Sequence, residues 1–174
     1  QLVHAGWGLY TPYGHPEIYK YAFPEVIHVD MVHPKPVAID VQAIGLKPQE
    51  VAAKSFLLGT QYWVYDHVLE DAELWSFMEQ LFKLRDFIKS ELRRLRFLDD
   101  EGLNVTWAKR YSSMDEEMIL FYNQDNQKEI YLEFPLPDTV EAIYLGEEPY
   151  QVKIELNKLP TEGHSLGVFR WKKN

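Results

Sequence analysis

The hydrophobic pattern of the first hundred residues alternates between strand-like and helix-like runs. Short apolar runs predict strands over residues 2–6, 26–32 and 62–65. Apolar residues at helical spacing follow each run and predict helices over residues 16–22, 48–58 and 72–98. Because strand and helix take turns, the pattern is typical of parallel βα units. The first part of the chain is therefore predicted to be α/β.

Local sequence signals mark the ends of these predicted helices. Pro16 and Pro48 stand where helices can begin, since the first turn does not need the amide hydrogen that proline lacks. Asp71 is a candidate N-cap for the long third helix. Gly59 is placed to end the second helix.

The hydrophobic pattern changes after the acidic, glycine-containing segment 99–102. Short runs of strand character cover residues 103–111, 118–123, 128–134, 139–145, 150–156 and 166–171. Their length and spacing predict a small antiparallel β-sandwich. We therefore predict a chain of class α/β plus all-β, with an α/β domain over residues 1–98, a linker at 99–102 and a C-terminal β-sandwich at 103–174.

Composition and charge narrow the classes of partner. Apolar residues make up 46% and aromatic residues 14% of the 174 residues, which is enough for a substantial core. The formal net charge of -9 disfavours nucleic acid and anionic membrane surfaces as partners. The chain has no cysteine, so the compartment stays open, with the cytoplasm slightly favoured. No apolar run is long enough to predict a membrane span.

The sequence gives no support for a metal or cofactor site. Its 6 histidines form no HxxxH, HxH or HExxH spacing. No GxSxG, GxGxxG or Walker motif is present, which removes support for hydride and phosphoryl transfer. We predict no metal and no cofactor.

The loop after the first predicted strand is rich in aromatic residues. Trp7, Tyr10, Tyr13 and His15 lie close together in it. Parallel βα units carry functional groups after the strands, and flat rings on a loop can stack on sugar rings. These four residues are candidate substrate-binding residues, although rings in this position can equally seal the top of a core.

Carboxylates follow or end the next two predicted strands. Asp30 lies inside an otherwise apolar strand, where burial would raise its pKa and suit acid or base catalysis. A neighbouring cation or backbone amide could instead hold it in a structural role. Asp66 and His67 follow the third strand and are candidate substrate-binding residues, although Asp66 could also simply start a turn.

Several segments together resemble a known group of enzymes. The segments are His-Ala-Gly-Trp at 4–7, Tyr-Lys-Tyr-Ala-Phe-Pro-Glu at 19–25, Phe-Leu-Leu-Gly at 56–59, Leu-Phe-Lys-Leu-Arg at 81–85 and Leu-Gly-Val-Phe-Arg-Trp at 166–171. In this order they resemble the C-terminal part of a glycoside-hydrolase-like (β/α)8 barrel followed by a β-sandwich, closest to uncharacterised families. The apolar start, without an initiator Met or charged leader, also indicates a piece of a longer protein.

The resemblance implies a fold, a partner and an activity. Residues 1–98 would be the last three βα units of a TIM-type barrel, and the N-terminal half of the barrel, in the same protein or a separate chain, would be the partner. Asp30 would be the catalytic carboxylate in this piece, and carbohydrate the ligand. Because glycoside hydrolysis needs two carboxyl groups, the piece should hydrolyse glycosidic bonds only with the missing half. The alternative is a non-catalytic module that binds carbohydrate or protein.

Overall fold

The computed structural model describes residues 2–4, 16–22, 27–32, 47–64, 66–88, 92 and 94–173. The helices of this part are α1 Pro16–Ala22, α2 Pro48–Leu57, α3 Asp66–Glu70 and α4 Ala72–Ile88. The strands are β1 Leu2–His4, β2 Ile27–Val32, β3 Gln61–Val64, β4 Arg96–Phe97, β5 Ala108–Ser112, β6 Glu116–Tyr122, β7 Glu129–Tyr131, β8 Thr139–Tyr144, β9 Tyr150–Lys153, β10 Lys158–Pro160 and β11 Leu166–Lys172.

The chain divides into two compact units, Gln1–Lys83 and Leu84–Asn174. The domain bounds 1–98, 99–102 and 103–174 stay predictions. No helix in the described ranges is long and apolar enough to cross a membrane.

The N-terminal unit contains a short parallel sheet of order β1-β2-β3. The helix ends predicted at Pro16, Pro48, Gly59 and Asp71 are confirmed. The end predicted at residue 98 is wrong, since that helix ends at Ile88. Helix α2 begins at Pro48, and the backbone N–H of Lys47 donates to the carboxylate of Glu50 at 2.6 Å. Gly59, with a φ of 65°, follows its last turn. The Asp71 carboxylate accepts the Leu74 N–H at 3.0 Å and caps α4.

The predicted fold class, α/β plus all-β with the last three βα units of a TIM-type barrel, is wrong. Most of the described strands are antiparallel and belong to a six-stranded and a two-stranded sheet, whereas only β1, β2 and β3 are parallel. The helices accompanying them are few and mostly short. The alternation of strand and helix patterns predicts parallel neighbours, but it cannot distinguish a barrel wall from a small open sheet.

The C-terminal unit is built on an antiparallel sheet of order β4-β5-β6-β11-β8-β9, accompanied by the pair β10-β7. In an antiparallel sheet, residues directly opposite each other point to the same side. One side, here called the inner face, forms a core with the small sheet. Its buried members are Ala108, Ile119, Phe121, Ile130, Leu132, Val140, Ala142, Tyr144, Leu159 and Phe169.

The pairing of β11 differs on its two sides near the strand end. Towards β6, it continues to Lys172 opposite Glu116. Towards β8, it ends at Arg170 opposite Glu141. By alternation, Trp171 points to the inner face, and Arg170 and Lys172 point to the opposite, outer face. The ladder between β11 and β8 therefore ends two residues before β11 does.

Candidate functional site

The predicted aromatic site lies outside the described residues. Trp7, Tyr10, Tyr13 and His15 all fall in the segment 5–15. Their substrate-binding roles stay predictions.

The remaining predicted site residues lie in two described elements of the N-terminal unit. Asp30 belongs to β2, where its backbone is opposite Tyr62 of β3. Asp66 and His67 are exposed in the first turn of α3. The Nδ1 atom of His67 is 4.0 Å from a carboxylate oxygen of Glu70, in the same helix. The catalytic role of Asp30 and the binding roles of Asp66 and His67 stay predictions.

The described residues contain a different candidate site, centred on a buried carboxylate of the C-terminal unit. The Glu117 side chain is only 3% exposed. Its Oε1 accepts hydrogen bonds from Ser112 Oγ at 2.7 Å and Arg110 Nη2 at 2.9 Å, and its Oε2 accepts one from Arg110 Nε at 3.1 Å. Lys173 Nζ lies 2.7 Å from Oε1. Four donor contacts from three side chains therefore fix this carboxylate.

These contacts determine the charge state of Glu117. Burial by itself would raise the pKa of its carboxyl group. The hydrogen bonds from Arg110, Lys173 and Ser112 outweigh burial and hold the pKa below the ordinary value of 4.5. Glu117 is thus ionised at neutral pH, and its proton affinity is too low for a general acid.

A groove of about 410 Å³ opens beside this cluster on the inner face. We call it the Trp171 groove. Its walls are Arg110, Glu117, Phe134, Pro135, Leu136, Pro137, Trp171, Lys172 and Lys173. The indole of Trp171 is only partly buried against the core. The groove thus combines an accessible flat ring, proline and leucine surfaces, and charged hydrogen-bonding groups.

The wall formed by residues 134–136 is held by contacts to distant residues. The Arg110 guanidinium carbon lies 3.8 Å from the centre of the Phe134 ring. The Asn157 amide nitrogen donates to the carbonyls of Leu132 and Phe134, both at 2.7 Å. The Asn157 amide oxygen accepts the Leu136 N–H at 2.8 Å. The same ionic cluster and one asparagine therefore position the groove wall.

A second groove, of about 450 Å³, lies on the outer face and is called here the Arg170 groove. Its walls are Leu95, Glu116, Glu117, Met118, Pro137, Thr139, Glu141, Gln151, Arg170, Trp171 and Lys172. Arg170 Nε lies 2.6 Å from a carboxylate oxygen of Glu141, and Arg170 Nη1 donates to the Phe87 carbonyl at 2.8 Å. Arg170 is thus a fixed part of the wall.

The chemistry of the Trp171 groove suits binding better than bond cleavage. Aromatic rings and hydrogen-bonding groups can recognise a polar ligand with flat apolar faces. Both oxygens of the only acid in the Trp171 groove, Glu117, are already occupied. Within the described residues, no group of three His, Cys, Asp or Glu side chains could hold a metal ion.

Sequence reasoning missed this site because its members are far apart along the chain. Glu117 and Trp171 become neighbours only through the register of β6 and β11. Arg110 and Ser112 join them from β5. One signal was present in the sequence. Glu117 is a charged residue directly before the apolar run 118–121, where alternation can carry it to the face of the core.

Comparisons with known proteins identify a fold but no family. No protein-family model matches the sequence, and no curated protein matches it. A solved structure that is similar is the crystal structure of an α-amylase from Anoxybacillus, described as a new glycosyl hydrolase subclass, with a TM-score of 0.55 and 12% identity. The match covers 91% of this chain and 41% of the amylase chain. The chain thus has a fold like that of part of a glycoside hydrolase and spans less than half of that enzyme.

Proposed function

We propose that the chain is the carbohydrate-binding part of a glycoside-hydrolase-related protein, and that the Trp171 groove is its binding site. The observation that carries the proposal is the partly exposed Trp171 indole beside the fixed Glu117 and Arg110 groups. Sugars offer apolar C–H faces that stack on such rings, and hydroxyls that bond to charged groups such as Lys172, an exposed residue of the same groove. The likeness to an α-amylase fold supports a carbohydrate ligand over a peptide.

Bond cleavage is proposed to depend on groups outside this groove. Glycoside hydrolysis needs a protonated acid and a second carboxylate. Glu117 offers neither a proton at neutral pH nor a free oxygen. We therefore propose that the described chain binds sugar without hydrolysing it by itself. A catalytic contribution from Asp30, completed by an N-terminal partner, is the second role to test.

The experiment is a binding screen of the full chain with soluble starch, β-glucan and xylan by affinity gel electrophoresis. We expect retardation by at least one of these polysaccharides and no release of reducing sugar. Trp171→Ala should weaken the retention by about ten-fold or more, since it removes the stacking surface. Tyr131→Ala is the matched control, because Tyr131 is an exposed aromatic residue, 42% accessible, outside both grooves.

Different outcomes separate the proposals. Equal loss of binding in Trp171→Ala and Tyr131→Ala would refute the placement of the site. No retention by any of the polysaccharides would refute carbohydrate binding and favour a protein-binding module. Release of reducing sugar by the wild-type chain that disappears in Asp30→Asn would assign hydrolysis to this chain alone.

A further inference from the structure

The two grooves share part of their walls. Glu117, Pro137, Trp171 and Lys172 line both of them. Trp171 points to the inner face and Lys172 to the outer face, since neighbouring residues of a strand alternate. The two grooves therefore meet around the end of β11.

The ladder between β11 and β8 ends close to the residues that line both grooves. The ladder between β11 and β8 ends at Arg170 and Glu141, although β11 continues to Lys172. In the ladder, the Leu145 N–H donates to the Leu166 carbonyl, so the even-numbered residues of β11 direct their backbone groups towards β8. The backbone N–H and C=O of Lys172 accordingly lie on the side of β8, beyond the last pair of the ladder. Pro137, which precedes β8, lines both grooves.

We propose that the two grooves are successive parts of one binding site for an oligosaccharide, which passes around the end of β11 with Trp171 at its centre. This inference rests on the proposed carbohydrate-binding function and adds the size of the ligand. A disaccharide would occupy the Trp171 groove only. A longer chain would continue past Lys172 to the polar groups of the Arg170 groove.

The composition of the Arg170 groove fits a continuation of a sugar chain. Thr139 and Gln151 are exposed on the outer face and offer a hydroxyl and an amide, which can both donate and accept hydrogen bonds. Arg170 and Glu141 are fixed by their mutual ion pair at 2.6 Å. Groups held in place in this way bind hydroxyls without a large loss of side-chain freedom.

The experiment is isothermal titration of the full chain with two ligand series, maltose to maltoheptaose and cellobiose to cellohexaose. We expect affinity in one series to rise about ten-fold or more from the shortest to the longest member. The stoichiometry should be one ligand per chain. Thr139→Arg, which fills only the Arg170 groove, should abolish the rise while leaving disaccharide binding unchanged.

The matched control is Thr106→Arg, which adds the same side chain at an exposed position outside both grooves. Affinity that does not change with ligand length would overturn the continuous site but leave carbohydrate binding standing. Two short ligands bound per chain would also overturn it, since the grooves would then be separate sites. If neither series binds and the polysaccharide screen is also negative, the proposed function fails together with this inference.

Discussion

Glu117 contributes both to the stability of the C-terminal unit and to the shape of the proposed binding site. It is buried at the register position opposite Trp171 and holds Arg110 and Lys173 beside the groove. Removing one member of a buried ion pair leaves the other charges unpaired, which is costly in a low-dielectric site. The same side chain therefore affects both the folding of the C-terminal unit and the shape of the site.

Replacement of Glu117 by glutamine tests this role. Glu117→Gln should lower the free energy of unfolding by about 2 kcal/mol, less than the roughly 3–5 kcal/mol expected for a fully buried pair, because Lys173 is 33% exposed. Urea denaturation followed by Trp fluorescence measures the loss. Glu129→Gln is the control, since the Glu129–Lys158 pair is more exposed and its loss should change stability clearly less than Glu117→Gln does.

The lowered pKa of Glu117 also determines whether the stability of the fold rises or falls with pH. Its folded-state pKa lies below the ordinary value of 4.5, so its contribution to stability is complete above that pH. The contribution is lost as the pH falls through the lowered value, because the unfolded chain then binds the proton more strongly. The melting temperature of the wild type should therefore fall more steeply with acidification below pH 4.5 than that of Glu117→Gln. Equal slopes would contradict the assignment.

At the scale of single elements, the sequence predicted the last strand more accurately than the long helix. The predicted strand 166–171 is confirmed as β11, Leu166–Lys172, because its apolar residues form a continuous run between turn signals. The helix predicted over residues 72–98 instead ends at Ile88, and Arg96–Phe97 is strand β4. Phe97 is buried opposite Tyr111, with ring centres 5.2 Å apart, so tertiary pairing overrides the helical spacing there.

Strand β11 contains a glycine near its start, Gly167, whose position has no room for a side chain. A Cβ on Gly167 would lie 2.8 Å from both Phe121 and Tyr144 and 2.9 Å from the Ile143 carbonyl. The carbonyl belongs to the adjacent strand and cannot move away without breaking the sheet. Gly167→Ala should therefore destabilise the chain by about 3 kcal/mol, measured by urea denaturation.

Gly163→Ala is the control for this substitution. Gly163 has a φ of 81° and no atom within 4 Å of the position of its Cβ, so only backbone strain of about 1 kcal/mol is expected. A loss in Gly163→Ala as large as that in Gly167→Ala would refute the steric argument.

At the scale of the whole molecule, the sequence indicated a change from alternating strand and helix patterns to strand patterns alone, but not the architecture. The strand–helix alternation before residue 99 and the antiparallel texture after it both have counterparts in the described sheets. Whether parallel strands close into a barrel depends on tilt and stagger between strands, which a single sequence does not encode locally. The candidate site was missed for a related reason, since its residues meet only through strand register.

The division into two compact units predicts the course of unfolding. Each unit has its own sheet, and units of this kind can unfold separately. We expect two transitions in scanning calorimetry of the full chain, with Gly167→Ala lowering the temperature of only one. A single transition that shifts as a whole would show that the units unfold together.

Asn157 makes the groove sensitive to chemical ageing of the protein. Its amide nitrogen donates to the carbonyls of Leu132 and of the groove-wall residue Phe134, while its φ of 60° holds it in a tight turn. Deamidation, the slow hydrolysis of an asparagine amide, would replace this donor by a carboxylate that faces the same two carbonyls and repels them. The segment 134–136 would then lose the hydrogen bond at the Phe134 carbonyl and keep the one at the Leu136 N–H. We expect a stored preparation to lose the proposed sugar binding in proportion to the damage at this one amide.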